Sequence, residues 1–325
     1  MQVNIVGSFK HLSVEETNLF LGMEYGYIIC NDQLLLKNKF FEKPFIEYIG
    51  KLGIEALEKS PYIYNYFDLN QSKQYSLEEI NKFIRLSWGP VEWFLFSLWF
   101  VKDNSVKVDY LYLYEPENYF IIRDKSNLWP SNSRGQYKIT SFTSEELKKA
   151  LQWQALLYNY ALVAKKEALE NCDVNDLQIQ NYSAQIPYAD MNRISRALRF
   201  IKSGRGESFL PVKISAYVGA LESLFSTTKS EVTHQVAERA VKILGGDIDT
   251  RMKNYTLIKN VYDIRSMYVH GSDIKGKVLR RLPDLAESFD ELMRSILKTV
   301  IKDYSFLSEM KQNELDIWFK KLILQ

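Results

Sequence analysis

Two side chains near the C-terminal end of the chain have the types and spacing for acid–base chemistry at a phosphate. In YDIRSMYVHGSD, Tyr262–Asp273, Arg265 and His270 stand five residues apart. A guanidinium holds phosphate oxygens through a planar fork of donors. An imidazole both accepts and donates a proton near neutral pH. Arg265 falls in a helix read over Arg251–His270, where Leu257, Val261, Ile264 and Tyr268 recur at spacings of three and four as an apolar stripe. Its helical neighbours Val261, Tyr262, Tyr268 and Val269 are apolar or aromatic. A guanidinium in such company is costly unless it has a partner or faces a groove. His270 falls on the last turn, before Gly271, a natural helix stop. On an ideal helix, residues five apart point about 140° apart. The two side chains therefore converge only if the helix loosens at its end or a second copy of it completes the site. Two readings stay open on these residues alone. One is a capping histidine with an ion-paired arginine; the other is a pair of catalytic groups at the mouth of a groove.

Two basic stretches accompany the pair. Arg193, Arg196, Arg199 and Lys202 recur about one turn apart on a helix read over Ala189–Ser203, with Arg205 following. Lys275, Lys277, Arg280 and Arg281 cluster beyond His270 and before Pro283. Either stretch is an ordinary solvated face or a phosphate-binding stripe with salt-dependent, sequence-independent affinity.

Composition bounds the rest. The chain has 325 residues with 46% hydrophobic, 25% charged and 14% aromatic content, which suits a folded protein of two domains. A net charge of +2 confines any basic feature to a local patch. Two distant cysteines, Cys30 and Cys172, form neither a metal spacing nor a disulfide framework and suit a reducing cytosol. With three histidines, His11, His234 and His270, no metal site and no cofactor are expected. The opening MQVNIVGSFKHLSVEE carries no secretory signal pattern. The most apolar run, Trp93–Val101, is too short to span a bilayer and reads as a buried strand. No membrane association and a cytoplasmic location follow as expectations.

The elements that must position the pair divide the chain into an α+β half and an all-α half. Val91–Val101 and the following VKVDYLYLY read as a hairpin, with further strands at Tyr119–Arg123 and Gln136–Phe142. Together they suggest an antiparallel β meander. Helices are read near Val14–Met23, Phe45–Lys59 and Leu77–Leu86, and a long one after Thr143 with an acidic first turn. Periodicity breaks over about residues 171–187. The domains are therefore set at 1–180 and 188–325. Beyond Ala189–Ser203, helices are read at Pro211–Phe225, Val232–Leu244, Arg251–His270, Pro283–Tyr304 and Ser308–Leu324. Pro211 and Pro283 serve as first-turn prolines, and Gly245-Gly246 and Gly271 as stops. The pattern is that of a helical bundle.

Three segments in this half carry a resemblance. ISAYVGALESLFS (Ile214–Ser226) has a glutamate after Ala-Leu. HQVAERAVKILGG (His234–Gly246) has an arginine before a small apolar run and a glycine stop. VYDIRSMYVHG (Val261–Gly271) has R-x4-H ending in V-H-G. In this order and with these gaps they resemble the HEPN superfamily, most closely its Apea-like branch, over about Ala189–Tyr304. The N-terminal half lies outside the resemblance.

The resemblance implies an all-α HEPN helical bundle and a metal-independent endoribonuclease. Such proteins often serve antiphage defence or abortive infection, or act as toxins. It implies Arg265 and His270 as the catalytic residues, with a homodimer aligning two helix ends in one cleft. The 2′-hydroxyl of RNA attacks the adjacent phosphate, leaving 2′,3′-cyclic phosphate and 5′-hydroxyl ends. His270 moves the proton and Arg265 stabilises the phosphorane-like transition state. Ser266, directly after the arginine, is a supporting candidate, as is Glu222, which would orient Arg265 across the bundle through a buried pair; Arg239 reads as structural support. RNA, tRNA or mRNA among the options, is the implied partner, with a cognate antitoxin or phage-derived trigger besides. One departure stands out. The tyrosine that toxins paired with a nucleotidyltransferase antitoxin carry two residues after the motif histidine is here Ser272. The alternative is a non-catalytic HEPN module that binds nucleic acid or protein as a regulatory scaffold. In a third reading the N-terminal domain is the active part.

Overall fold

The computed structural model describes residues 2–68, 75–117, 120–162, 191–228 and 230–324. The chain is α+β, with a sheet in its N-terminal half and helices throughout its C-terminal half. It divides into two compact units. The first comprises Met1–Trp129 and Tyr137–Gln185; the second comprises Pro130–Gln136 and Ile186–Gln325. The periodicity break read over about residues 171–187 lies outside the described residues.

The first unit is built on an antiparallel sheet in the order β3-β4-β5-β1-β7-β8. Its strands are β1 (Gln2–Lys10), β3 (Phe20–Gly22), β4 (Ile28–Cys30), β5 (Tyr62–Asp68), β7 (Tyr110–Glu115) and β8 (Phe120–Lys125). A short β6 (Lys107–Val108) pairs with the end of β1. The strands read at VKVDYLYLY and near Tyr119–Arg123 are present, but β1, β3, β4 and the tyrosine-rich β5 were not read, and the sheet is not a simple meander. β1 inserts between β5 and β7, with Ile5 opposite both Asn65 and Leu113. Alternation along β1 sends Val3, Ile5 and Phe9 to one apolar cluster and Val6 to another, so both faces are buried. A separate parallel pair joins β2 (Leu12–Val14) to β9 (Thr140–Phe142), shorter than the strand read over Gln136–Phe142.

Helices cover the two faces. α1 (Gln33–Phe40) and α2 (Lys43–Glu58) supply Leu36, Phe40 and Phe45 to the tyrosine face, and α3 (Leu77–Val101) supplies Trp88, Val91 and Phe94 to the other. α3 corrects the reading of Val91–Val101 as a strand. A continuous apolar run fits a buried strand or a buried helix equally well. Here a capping box decides. The Ser76 backbone N–H donates to Glu79 Oε2 at 2.8 Å and the Glu79 N–H returns to Ser76 Oγ at 3.2 Å, starting a helix that continues for 25 residues. The helix read over Val14–Met23 is also absent. Asn18 sits at φ 65°, and the Asn31 side chain binds the Leu19 N–H and the Glu16 carbonyl, replacing helical bonds. α4 (Ser144–Leu162) completes this unit among the described residues.

The second unit holds α5 (Arg193–Arg205), α6 (Leu210–Phe225), α7 (Val232–Leu244), α8 (Ile248–Val269), α9 (Gly276–Asp303) and α10 (Gln312–Leu324). Its core is made by Ile194, Leu198 and Ile201 of α5, Tyr217 and Leu221 of α6, Val236 and Ala240 of α7, Ile258 and Val261 of α8, and Phe289, Met293 and Ile296 of α9. All fall at helical spacings. Pro283 is not in a first turn. α9 begins seven residues earlier, and the residue whose carbonyl Pro283 leaves unpaired, Leu279, is exposed.

Residues 130–136 complete this unit from the other half of the sequence. The Ser131 N–H donates to the Arg205 carbonyl at 2.8 Å and the Ser131 hydroxyl to the Glu207 carbonyl at 2.5 Å. Lys213 Nζ, buried on α6, reaches the Ser131 carbonyl at 3.4 Å. Arg134 pairs with Asp284 and, at 2.9 Å, with Glu287 of α9. Gly135, at φ 72°, passes so close that a Cβ would meet the Ser208 carbonyl oxygen at 2.2 Å.

Candidate active site

The pair that opened the sequence reading sits at the C-terminal end of α8. Asp247 caps the start of that helix by accepting the Thr250 N–H at 2.7 Å. At the other end the Gly271 N–H donates to the Tyr268 carbonyl at 3.2 Å and the Ser272 N–H to the Met267 carbonyl at 2.8 Å. With Gly271 at φ 71°, this is a Schellman stop. His270 is the cap residue. Its backbone N–H still donates to the Ser266 carbonyl at 3.0 Å, so the helix does not loosen before it. Its imidazole is exposed and has no partner among the described residues.

Arg265 lies one turn inside. Its guanidinium meets Glu222 Oε1 of α6 at 3.2 Å. The Glu222–Arg265 pair expected from the sequence is present, but it is not buried: the side chains are 25% and 39% exposed. The Arg265 side chain is therefore partly accessible to solvent. The buried stripe of α8 also runs differently from the expectation. It is Ile258, Val261, Tyr262 and Ile264, and Tyr268 is exposed, because the last turn projects beyond the bundle. Ser266 is exposed.

Tyr262 belongs to this cluster and was read from the sequence only as an apolar neighbour. It stands three residues before Arg265, hence on the same helix face. The residue is 6% exposed, and its hydroxyl is buried beside the Glu222 carboxylate. Burial first, then the Glu222 carboxylate, hold its phenol far above the usual range, while Arg265 acts the other way. The spacing Y-x2-R was the signal available for it.

Arg239 is buried on α7 and holds the bundle together. It donates to the Phe225 carbonyl at 2.6 Å, to Thr227 Oγ1 at 2.9 Å and to Asp316 of α10 at 2.8 Å, and it lies over the Phe319 ring at 4.5 Å. The basic stripe of α5 splits. Arg193 caps the end of α6, donating to the Ser223 and Ser226 carbonyls at 3.3 and 3.0 Å; burial lowers its pKa. Arg196 donates to the Met191 carbonyl at 2.7 Å. Lys202 is part-buried and Arg205 is buried. Only Arg199 of these is exposed. The second cluster is different. Lys275, Lys277, Arg280 and Arg281 are all exposed, Lys275 being paired with Asp273. Lys277, Arg280 and Arg281 share one face of the first turns of α9 and have no anionic partner among the described residues.

The site thus offers a partly exposed arginine, an exposed imidazole and an exposed cationic helix start within 17 residues of chain, Arg265 to Arg281. Among the described residues, no group of three or more His, Cys, Asp or Glu side chains is placed to hold a metal. No helix among them is long and apolar enough to cross a membrane. Comparison with protein-family models, with curated proteins and with solved structures gives no match.

Proposed function

We propose that the chain is an endoribonuclease of the HEPN type that cuts RNA by 2′-hydroxyl transesterification without a metal. The observation that supports it most is the end of α8. There the R-x4-H pair combines a guanidinium tethered from one side by Glu222 with a free imidazole on a rigid helix cap. Arg265 takes the scissile phosphate and stabilises the charge that builds on it. His270 takes the proton from the 2′-hydroxyl or gives one to the leaving 5′-oxygen. Lys277, Arg280 and Arg281 hold the flanking phosphates. Because α8 stays helical up to its cap, the roughly 140° between the two side chains is not relieved within one chain. The reading therefore carries a homodimer in which two α8 ends face one RNA. A defence effector or toxin in the cytoplasm is the matching biological role.

One observation favours a second reading, a non-catalytic RNA- or protein-binding module. Arg265 already has an ion-pair partner and needs no substrate to satisfy it. Expression in a bacterial host separates the two. The nuclease reading expects growth arrest and cellular RNA fragments with 5′-hydroxyl ends, both abolished by His270→Ala. Intact RNA with either protein supports the binding module.

A further inference from the structure

Phe209 and Tyr268 stand on the surface beside the motif, where packing gives them little reason to be aromatic. Phe209 is 59% exposed and Tyr268 40%, and their rings meet edge to face, with centroids 6.1 Å apart and planes at 68°. Such a pair gains a modest contact but leaves much of both rings in water. Phe209 is also the cap residue of α6, and no side chain caps that helix. A serine, threonine, asparagine or aspartate there would satisfy a first-turn N–H; phenylalanine does not. The position thus gives up a cap and hides less than half of the residue that replaces it. Tyr268 follows Arg265 by three residues, on the same helix face. The surroundings are cationic. From Arg265 to Arg281 the chain carries five lysines and arginines against one acid, Asp273, which is paired with Lys275. A second copy laid on this patch by a two-fold axis would set cation against cation unless an anion lay between. A polyanion with flat, apolar faces suits it better, the cations taking phosphates and the rings a base.

We propose that Phe209 and Tyr268 form a stacking platform for an unpaired RNA base next to the phosphate that Arg265 holds. The inference rests on the reading of this helix end as an RNA site. It adds a base subsite that neither motif residue supplies. Every base has a π-face, so the platform accepts any of the four and confers no sequence preference of its own. A base stacked within a duplex has no free face to offer it. The two rings bind and orient the strand and take no part in proton transfer.

Binding to the full chain tests this without relying on catalysis. Fluorescence anisotropy compares two labelled probes that transesterification cannot cut, a 2′-O-methyl oligouridine of about ten nucleotides and an abasic strand of the same backbone and length. The native chain is expected to bind the base-bearing strand at least about tenfold more tightly. Phe209→Ala and Tyr268→Ala should each weaken that strand at least about fivefold, with the abasic strand and the salt slope unchanged. Phe209→Tyr and Tyr268→Phe keep a ring and should bind as the native chain does, which separates stacking from a change of fold. Equal affinity of the native chain for the two strands, or binding of neither, overturns the proposal. So does an equal loss of both strands in the alanine variants. A native dimer that the alanine variants turn into monomers on sedimentation also overturns it and makes the pair a contact between copies. Cleavage of RNA alongside base-independent binding removes the platform and leaves the nuclease standing. Base-dependent binding that the alanine variants lose, with no cleavage by the native chain, keeps the platform and removes the nuclease reading.

Discussion

Replacing Arg239 by alanine should unfold the helical unit well before the rest of the chain. The side chain is 3% exposed and makes three polar contacts, to the Phe225 carbonyl, Thr227 Oγ1 and Asp316. Alanine leaves the carbonyl that closes α6 without its donor and takes the guanidinium from a carboxylate that is itself 23% exposed. Breaking a buried pair by removing one partner costs about 3–5 kcal/mol. Asp316 keeps Thr227 at 2.7 Å and Lys320 at 2.8 Å, which places the expected loss toward the lower end of that range. The lost contact of Arg239 with the Phe319 ring adds about 1 kcal/mol. Arg239→Lys keeps the charge but not the fork, and should recover less than half of the deficit. The assay is urea unfolding read by amide exchange in peptides spanning Val232–Leu244 and Gln312–Leu324, so that the sheet unit does not mask the transition. A loss below about 1 kcal/mol would refute the placing of Arg239 at the structural centre of the bundle.

Three further outcomes follow from the same contacts. Lys320 first, then Thr227 and Arg239, hold the Asp316 carboxyl well below its usual range. A depressed folded pKa stabilises above the unfolded value and loses that contribution as pH falls through the folded one. The stability gap between the native chain and Asp316→Asn should therefore be full at neutral pH and shrink below about pH 4 in urea titrations at stepped pH. A truncation beginning near Tyr188 removes residues 130–136 and leaves buried Lys213 without the Ser131 carbonyl. It should express as an unstable bundle, rescued by a fusion that restores that segment; stability equal to the full chain would contradict the role given to these residues. Reversing Lys277, Arg280 and Arg281 to glutamate should weaken single-stranded RNA binding and reduce the slope of log affinity against log salt by about 2, from about 0.7 per phosphate contact.

Most of the helical unit was legible in the sequence, for physical reasons that can be named. Val232–Leu244 has a clean amphipathic period and a glycine pair to end it. Gly271 marks the stop of α8 because the left-handed conformation at a helix C′ position suits glycine. The Glu222–Arg265 pair could be expected from the resemblance, since no local pattern joins two helices. What failed did so where local signals are silent or divided. The run through Trp93–Val101 is apolar all round, so its period carries no information, and the capping box at Ser76 lay 17 residues upstream of that run. The central place of β1, the separation of Arg193 from the exposed cations, and the role of residues 130–136 depend on partners 30 to 153 residues away. Tyr262 escaped because an aromatic residue on a helix face reads as core until the polar tip is traced.

The account comes down to whether the end of α8 cuts RNA. The direct measurement is incubation of purified native chain and its His270→Ala variant with total cellular RNA in EDTA, with the fragment ends mapped. Cleavage by the native chain that leaves 2′,3′-cyclic phosphate ends and is lost in the variant is the predicted result. Cleavage that persists undiminished in His270→Ala would contradict the assignment of His270 and move the chemistry elsewhere in the molecule.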